Sequence, residues 1–219
     1  ASAKERGLPL VIFEPLRVAY PWASLRLHDF VLAGMADHAA HFAGKAVSYY
    51  PYVEPTPGAS SGLLAALADH ACLIVADDYP AFFLPRMLRA AASRVAVRME
   101  AVDGNGLLPL AAADGRTFQN AHSFRRFLQQ ELPAALGRTP VRNPLARVEL
   151  PELKQLPPAI SKRWPGVSRD QLEERASLLA RLPIDQTVPT VSYRGGFVRG
   201  GEERRGFVKH RLAHYAEAR

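Results

Sequence analysis

Over the first hundred residues, short unbroken apolar runs alternate with longer stretches of helical period. LPLVIF (8–13) is one such run and reads as a buried strand. ASLRLHDFVLAGMADHAAHFAG (23–44) reads as a helix; Leu25, Phe30, Leu32 and Met35 contribute to its apolar stripe, and Gly44 stands where a helix stops. AVSYYPYVE (46–54) is strand-like, with Pro51 marking an edge or an irregularity. GLLAALADHA (62–71) is a short helix, CLIVA (72–76) a third strand, FFLPRMLRAAAS (82–93) a helix with an early proline, and VAVRMEAV (95–102) a fourth strand. Strands joined by helices of this length pair in parallel, and near-continuous apolar runs belong to a sheet covered on both faces. The predicted fold is therefore α/β: a parallel sheet flanked by helices. Its entry is unusual. ASAKERG looks like the last turns of a helix, where an α/β domain normally opens with a strand, so the chain is expected to enter the pattern late.

Beyond residue 110 the period changes. NAHSFRRFLQQELPAAL (120–136) is one more helix. Residues 137–167 are dense in proline and carry no clear period, as a linker or wrapping segment does. SRDQLEERASLLARL (168–182) opens with Ser168 and Gln171 at capping-box spacing. A basic helix, GEERRGFVKHRLAHYAEAR, runs to the last residue, with Phe207, Arg211, Leu212 and Tyr215 at helical spacing. The expected organisation is an α/β domain over 1–136, a linker with one helix over 137–193, and the start of a helical segment over 194–219.

Composition narrows the class. In 219 residues, 48% hydrophobic content suffices for a core, and no apolar run approaches the roughly 20 residues of a membrane span. The expected compartment is the cytoplasm, with no membrane partner. Cys72, the only cysteine, excludes an intrachain disulfide; its apolar neighbours predict a buried, inert thiol. Charge is uneven. Residues 1–110 hold nine Lys+Arg against ten Asp+Glu, and residues 111–219 hold nineteen against eleven. The basic half fits either a nucleic-acid-facing surface or a solvated arginine-rich face.

Motifs exclude more than they assign. His38 and His41 lie three apart with no third ligand nearby in sequence. His210 and His214 lack the glutamate of a zinc-protease helix. No metal site is expected. Gly-Asn-Gly (104–106) is not a dinucleotide fingerprint, and neither a phosphate-binding P-loop nor a nucleophile elbow occurs. What remains is a location. Ligands of open parallel sheets sit beyond the carboxyl ends of the strands. Those ends are Glu14–Arg17, Tyr52–Glu54, Asp77–Phe83 and Asp103–Asn105. Arg17, Asp78, Tyr79 and Phe83 are the candidate lining of a crevice for a flat ligand; a strand end packed against a second domain gives the same pattern.

Four stretches, EPLRVAYPWASLRLHDFVLAGM (14–35), YYPYVEP (49–55), DDYPAFFLPRM (77–87) and EAVDGNGLLPL (100–110), resemble the N-terminal, Rossmann-like α/β domain of the DNA photolyase/cryptochrome family. The branch they resemble is that of class II cyclobutane pyrimidine dimer photolyases. RGG (194–196) with FVKHRLAHYAEAR (207–219) resembles the opening of that family's helical FAD-binding domain. The resemblance implies a flavoprotein lyase that splits pyrimidine dimers in DNA by light-driven electron transfer from reduced FAD, with an antenna chromophore at the α/β domain in some members. Tyr215 matches a tyrosine that approaches the FAD phosphates. The flavin pocket proper, the electron-transferring tryptophans and the lesion-binding residues match nothing in these residues, so no catalytic residue is assigned and FAD is not expected bound here. The family's first strand, usually central, is missing, and Arg204 stands where its opening helix usually has an apolar residue. The expectation is a fragment or degenerate homologue, inactive by itself. It would touch DNA weakly through Arg204, Arg205 and Arg211 and would self-associate through an exposed sheet. The alternative is a stand-alone small-molecule- or nucleotide-binding module, or an interaction domain without catalysis.

Overall fold

The computed structural model describes residues 2–137, 141, 143–146 and 148–217. The linker positions 138–140, 142 and 147, and the last two residues of the terminal helix predicted from sequence, lie outside the described residues. Two compact units divide the chain: residues 1–61 with 147–219, and residues 62–146.

In the first unit a short helix, α1 (Ser2–Arg6), precedes β1 (Val11–Leu16), α2 (Leu25–Phe42) and β2 (Ser48–Val53). Helices α6 (Pro158–Arg163), α7 (Arg169–Glu173), α8 (Arg175–Leu179) and α9 (Phe197–His210) complete it. β1 and β2 pair in parallel, Val11 opposite Ser48 through Leu16 opposite Val53. The amides of Ser48 and Glu54 donate to Leu10 and Leu16 at 2.9 Å each. Parallel ladders use alternate residues, so even-numbered positions of both strands face the partner. Pro15 and Pro51 are odd-numbered. Each proline lacks its N–H on the side away from the ladder, which is why two prolines are tolerated in six-residue strands. The strand lies three residues later than LPLVIF predicts. Leu16 is buried in the core, and Glu14 bonds across to α2, so the polar residue is retained inside the strand.

α2 starts at Ser24, whose hydroxyl accepts from the Leu27 amide. Leu32 and Met35 are fully buried on the predicted stripe, whereas Phe30 is largely exposed. They join Leu16, Val18, Val53, Leu172, Leu179, Leu182 and Ile184 in one cluster. Helices α7 and α8 thus close the core over α2. The Ser168–Gln171 capping box is present, but the predicted single helix breaks at Glu174, where ψ is +36°. The proline-dense segment also packs inward. Trp164 is buried, its indole donating to the Ala59 carbonyl at 2.9 Å, and the Val167 amide donates to Pro51 O at 2.9 Å along the outer edge of β2.

The second unit holds α3 (Leu63–Ala68), β3 (Ile74–Asp77), α4 (Leu84–Ala92), β4 (Met99–Val102) and α5 (Ala121–Leu136). β3 and β4 pair in parallel, Ile74 opposite Met99 through Asp77 opposite Val102. Phe118, Phe124 and Phe127 stack around the start of α5, with Arg116 over the Phe127 ring at 4.9 Å. Both strands are shorter than the apolar runs predict. Cys72 accordingly falls in the connection after α3 and is exposed, which corrects the expectation of a buried thiol. The fold is mixed α/β with two two-stranded parallel sheets among the described residues. No described helix is long and apolar enough to cross a membrane.

Candidate functional site

One polar cluster of the first unit gathers on the face of α2 that meets β1, β2 and the start of α9. Glu14, the one acid in β1, accepts from the Tyr49 hydroxyl at 2.5 Å and lies 2.8 Å from His38 Nδ1. Burial, then the Glu14 bond and charge, push the Tyr49 phenol well above its ordinary range, so it stays a donor. The His38 ring stacks on Phe197 at 5.8 Å and meets Tyr49 edge-on at 6.3 Å. The carboxylate next to His38 in sequence, Asp37, turns instead to Arg194 and the Val198 amide. The fold supplies one from β1, 24 residues earlier. The signal was a lone acid inside an otherwise apolar strand, which needs a partner wherever it is drawn inward. His41, one turn on, accepts from Lys45 Nζ at 2.8 Å. Among the described residues, no three His, Cys, Asp or Glu side chains gather as a metal set.

Next to it on α2, Asp37 is buried and clamps the entry to α9. It takes Arg194 Nη2 at 2.7 Å and the Val198 amide at 3.0 Å. Burial raises its pKa, but those bonds and the Arg194 charge outweigh it and hold the carboxyl below its usual range. Arg194-Gly195-Gly196 lies against α2 so closely that a Cβ on Gly195 would fall 2.0 Å from Phe30 O. This close approach explains the paired glycines. It also explains why α9 begins at Phe197, four residues before the predicted start: a carboxylate at its first turn caps it and favours its dipole. The helix ends at His210. Arg211 leaves helical geometry and folds over Phe207 at 5.5 Å, so the predicted run to the last residue is interrupted.

Arg17 lies just past β1, about half exposed, 4.0 Å from the fully buried Glu54 at the end of β2. Glu54 accepts from Ser60 Oγ at 2.7 Å, from the amides of Gly58 and Ser60, and from the Val18 amide at 3.2 Å. Burial pushes its pKa up; the Ser60 and Val18 bonds and the Arg17 charge bring it below the ordinary value. Glu54 thus ties both strand ends to the loop after β2. Arg17 completes this clamp within the first unit.

Asp78, Tyr79 and Phe83 belong to the second unit. Asn105 Nδ2 donates to the Asp78 carbonyl at 2.6 Å and to Asp103 Oδ1 at 3.0 Å, tying the end of β3 to the end of β4. Asp103 also takes the Leu110 amide at 2.5 Å; that bond and the Asn105 amide hold its carboxyl below the usual range. Tyr79, Phe82 and Phe83 are exposed beside this turn, and Phe82 has φ +58°, left-handed backbone that a bulky residue rarely adopts. Tyr215 is exposed, its ring edge-on to Phe207 at 5.7 Å. Arg204 and Arg205 are exposed on α9. Arg211 lies 3.9 Å from Glu203, which also holds Arg199 at 2.6 Å. No protein-family model matches this chain, and comparison with curated proteins gives no match either.

Proposed function

We propose that these residues are the α/β part, linker and first helical segment of a photolyase-class DNA repair protein. The whole protein would split pyrimidine dimers with light-driven electron transfer from FAD. The observation that carries the reading is where the four resembling stretches fall. They begin within β1, within β2, at the end of β3 and within β4, and each runs into the connection that follows. Those are the positions at which a Rossmann-like sheet places its ligand- and partner-facing residues. The segment resembling the helical domain's opening is fixed to α2 through Asp37, Arg194 and two glycines, which supports a built junction between the two parts.

The described residues do not fit FAD. Tyr215 is a lone exposed phenol packed edge-on against Phe207, and no step through the flavin is derived from it. Tyr79 and Phe83 offer apolar rings, and Asp78 its backbone to Asn105, as one wall of an antenna or domain-interface crevice; Arg17 is committed to the Glu54 clamp. The reading is tested with the natural reading frame that contains these residues, expressed in a photolyase-deficient bacterium. Survival after ultraviolet damage is expected to rise under visible light and not in the dark. Equal survival in light and dark overturns it.

A further inference from the structure

A cleft of about 730 Å³ opens where the end of α2 meets the start of β2. It lies at the amino end of the strand pair, away from the strand ends considered above. Its apolar side includes the rings of Phe42 and Tyr49, 5.5 Å apart, and Val167. The Tyr49 hydroxyl is already committed to Glu14, so Tyr49 contributes its ring to the cleft. Three charged side chains line it, Lys45, Arg169 and Glu152, and Lys45 Nζ also donates to His41 Nε2 at 2.8 Å. Lys45 Nζ lies 6.0 Å from the Phe42 ring centre, so a cation stands beside the aromatic surface. Arg169 uses Nε for Glu173 at 2.8 Å, which fixes the stem of its guanidinium.

We propose that this cleft binds a planar aromatic ring bearing one anionic group, of about mononucleotide size. The volume lies within the roughly 300–1,000 Å³ of small-molecule sites. Two adjoining rings, inclined by 41°, offer an aromatic wall, and Lys45 and Arg169, each holding one partner in His41 and Glu173, keep further N–H donors for one anion. The site is independent of the photolyase reading, since it uses neither the helical segment nor the strand ends.

Adenosine 5′-monophosphate, adenosine and ribose 5-phosphate are titrated into the chain by calorimetry. The monophosphate carries ring and anion, and each of the others lacks one. It is expected to bind at least about tenfold more tightly than either. Lys45→Ala and Arg169→Ala are each expected to weaken it about tenfold while leaving adenosine unchanged. Each residue holds a partner four residues away, His41 and Glu173, and circular dichroism checks that the fold is kept in both variants. Replacing Arg204 and Arg205 with Ala is expected to leave monophosphate binding unchanged. No monophosphate binding at millimolar concentration, equal binding of all three compounds, or loss of binding only in the Arg204/Arg205 variant would each overturn the proposal.

Discussion

Single residues hold the first unit together at points where chemistry and geometry both leave little choice. Gly196 has φ +105°, and a Cβ there would fall 2.3 Å from Asp37 Oδ2. Gly196→Ala therefore combines overpacking with left-handed strain and is expected to cost about 2 kcal/mol or more. Gly200, inside α9, has open space around its Cβ position; Gly200→Ala is expected to stabilise by roughly 0.5–1 kcal/mol. Urea midpoints decide the matter, and a Gly196→Ala chain as stable as its parent would show that α9 does not dock on α2 in solution. His28 sets a second test. It is fully buried, with Nδ1 3.1 Å from Ser24 O and Nε2 3.1 Å from Arg17 O. Burial lowers its pKa below the ordinary value, although both carbonyls favour the protonated ring. The unfolded chain then binds the extra proton first. Stability is complete above about pH 6.5 and falls as the pH drops through the window below it. Glu54 and Asp37 have depressed pKa values, so their contribution is complete above about pH 4.3 and is lost as the pH falls further. The expected profile has two descending steps, and His28→Gln should remove the upper one alone. An unchanged upper step in that variant would reassign it to another group.

Elements differed in how much of them the sequence disclosed. α2 was legible because Leu32 and Met35 share a stripe, and the start of α7 because Ser168 and Gln171 form a box that needs nothing from elsewhere. The ends of β1 were not legible, since its extension through Glu14 depends on His38 and Tyr49, partners brought by the fold. The break at Glu174 and the early start of α9 are likewise tertiary effects, fixed by packing on α2. Arg17, Asp78, Tyr79 and Phe83 were legible only as an arginine, a carboxylate and rings at strand ends, and the Glu14–His38 pair and the cleft at the opposite end carry no local motif. α9 and the residue that follows it carry the three arginines proposed to contact DNA. Arg204 and Arg205 are exposed, whereas Arg211 is engaged by Glu203 and the Phe207 ring. Weak duplex binding that collapses with salt is expected. Changing Arg204 and Arg205 to Ala should lower the slope of log affinity on log salt by about 0.9 per lost phosphate contact, and Arg211→Ala should change it less. Titration of damaged and undamaged duplexes checks this: a dimer preference surviving moderate salt would place lesion recognition within these residues, and no binding at low salt would leave the arginines as a solvated face.

Among the described residues, each sheet is a single pair of parallel strands. Parallel strands are ordinarily covered on both faces, and a lone pair of strands is marginal in water. In the second unit the even-numbered amides of Ile74 and Asp78 donate across to Arg98 and Val102. Val75 and Asp77 therefore turn their backbone groups to the outer edge of β3. Val75 and Val102 are each about half exposed, and Phe82 and Phe83 add apolar surface at the strand end. An apolar strand edge is a template for another strand. The 219-residue chain is accordingly expected to associate with itself, with a mass that rises with concentration in sedimentation equilibrium. Val75→Lys tests the route without disturbing the β3–β4 ladder, because residue 75 faces away from β4. A lysine there solvates the edge and repels its copy. The variant should remain monomeric at concentrations where the parent associates, with unchanged circular dichroism. If Val75→Lys associates as strongly as the parent, the contact does not run through β3 and the outer edge of β1, at Val11 and Phe13, is the next to be blocked. A parent chain that stays monomeric at every concentration means that the open edges are satisfied within one molecule.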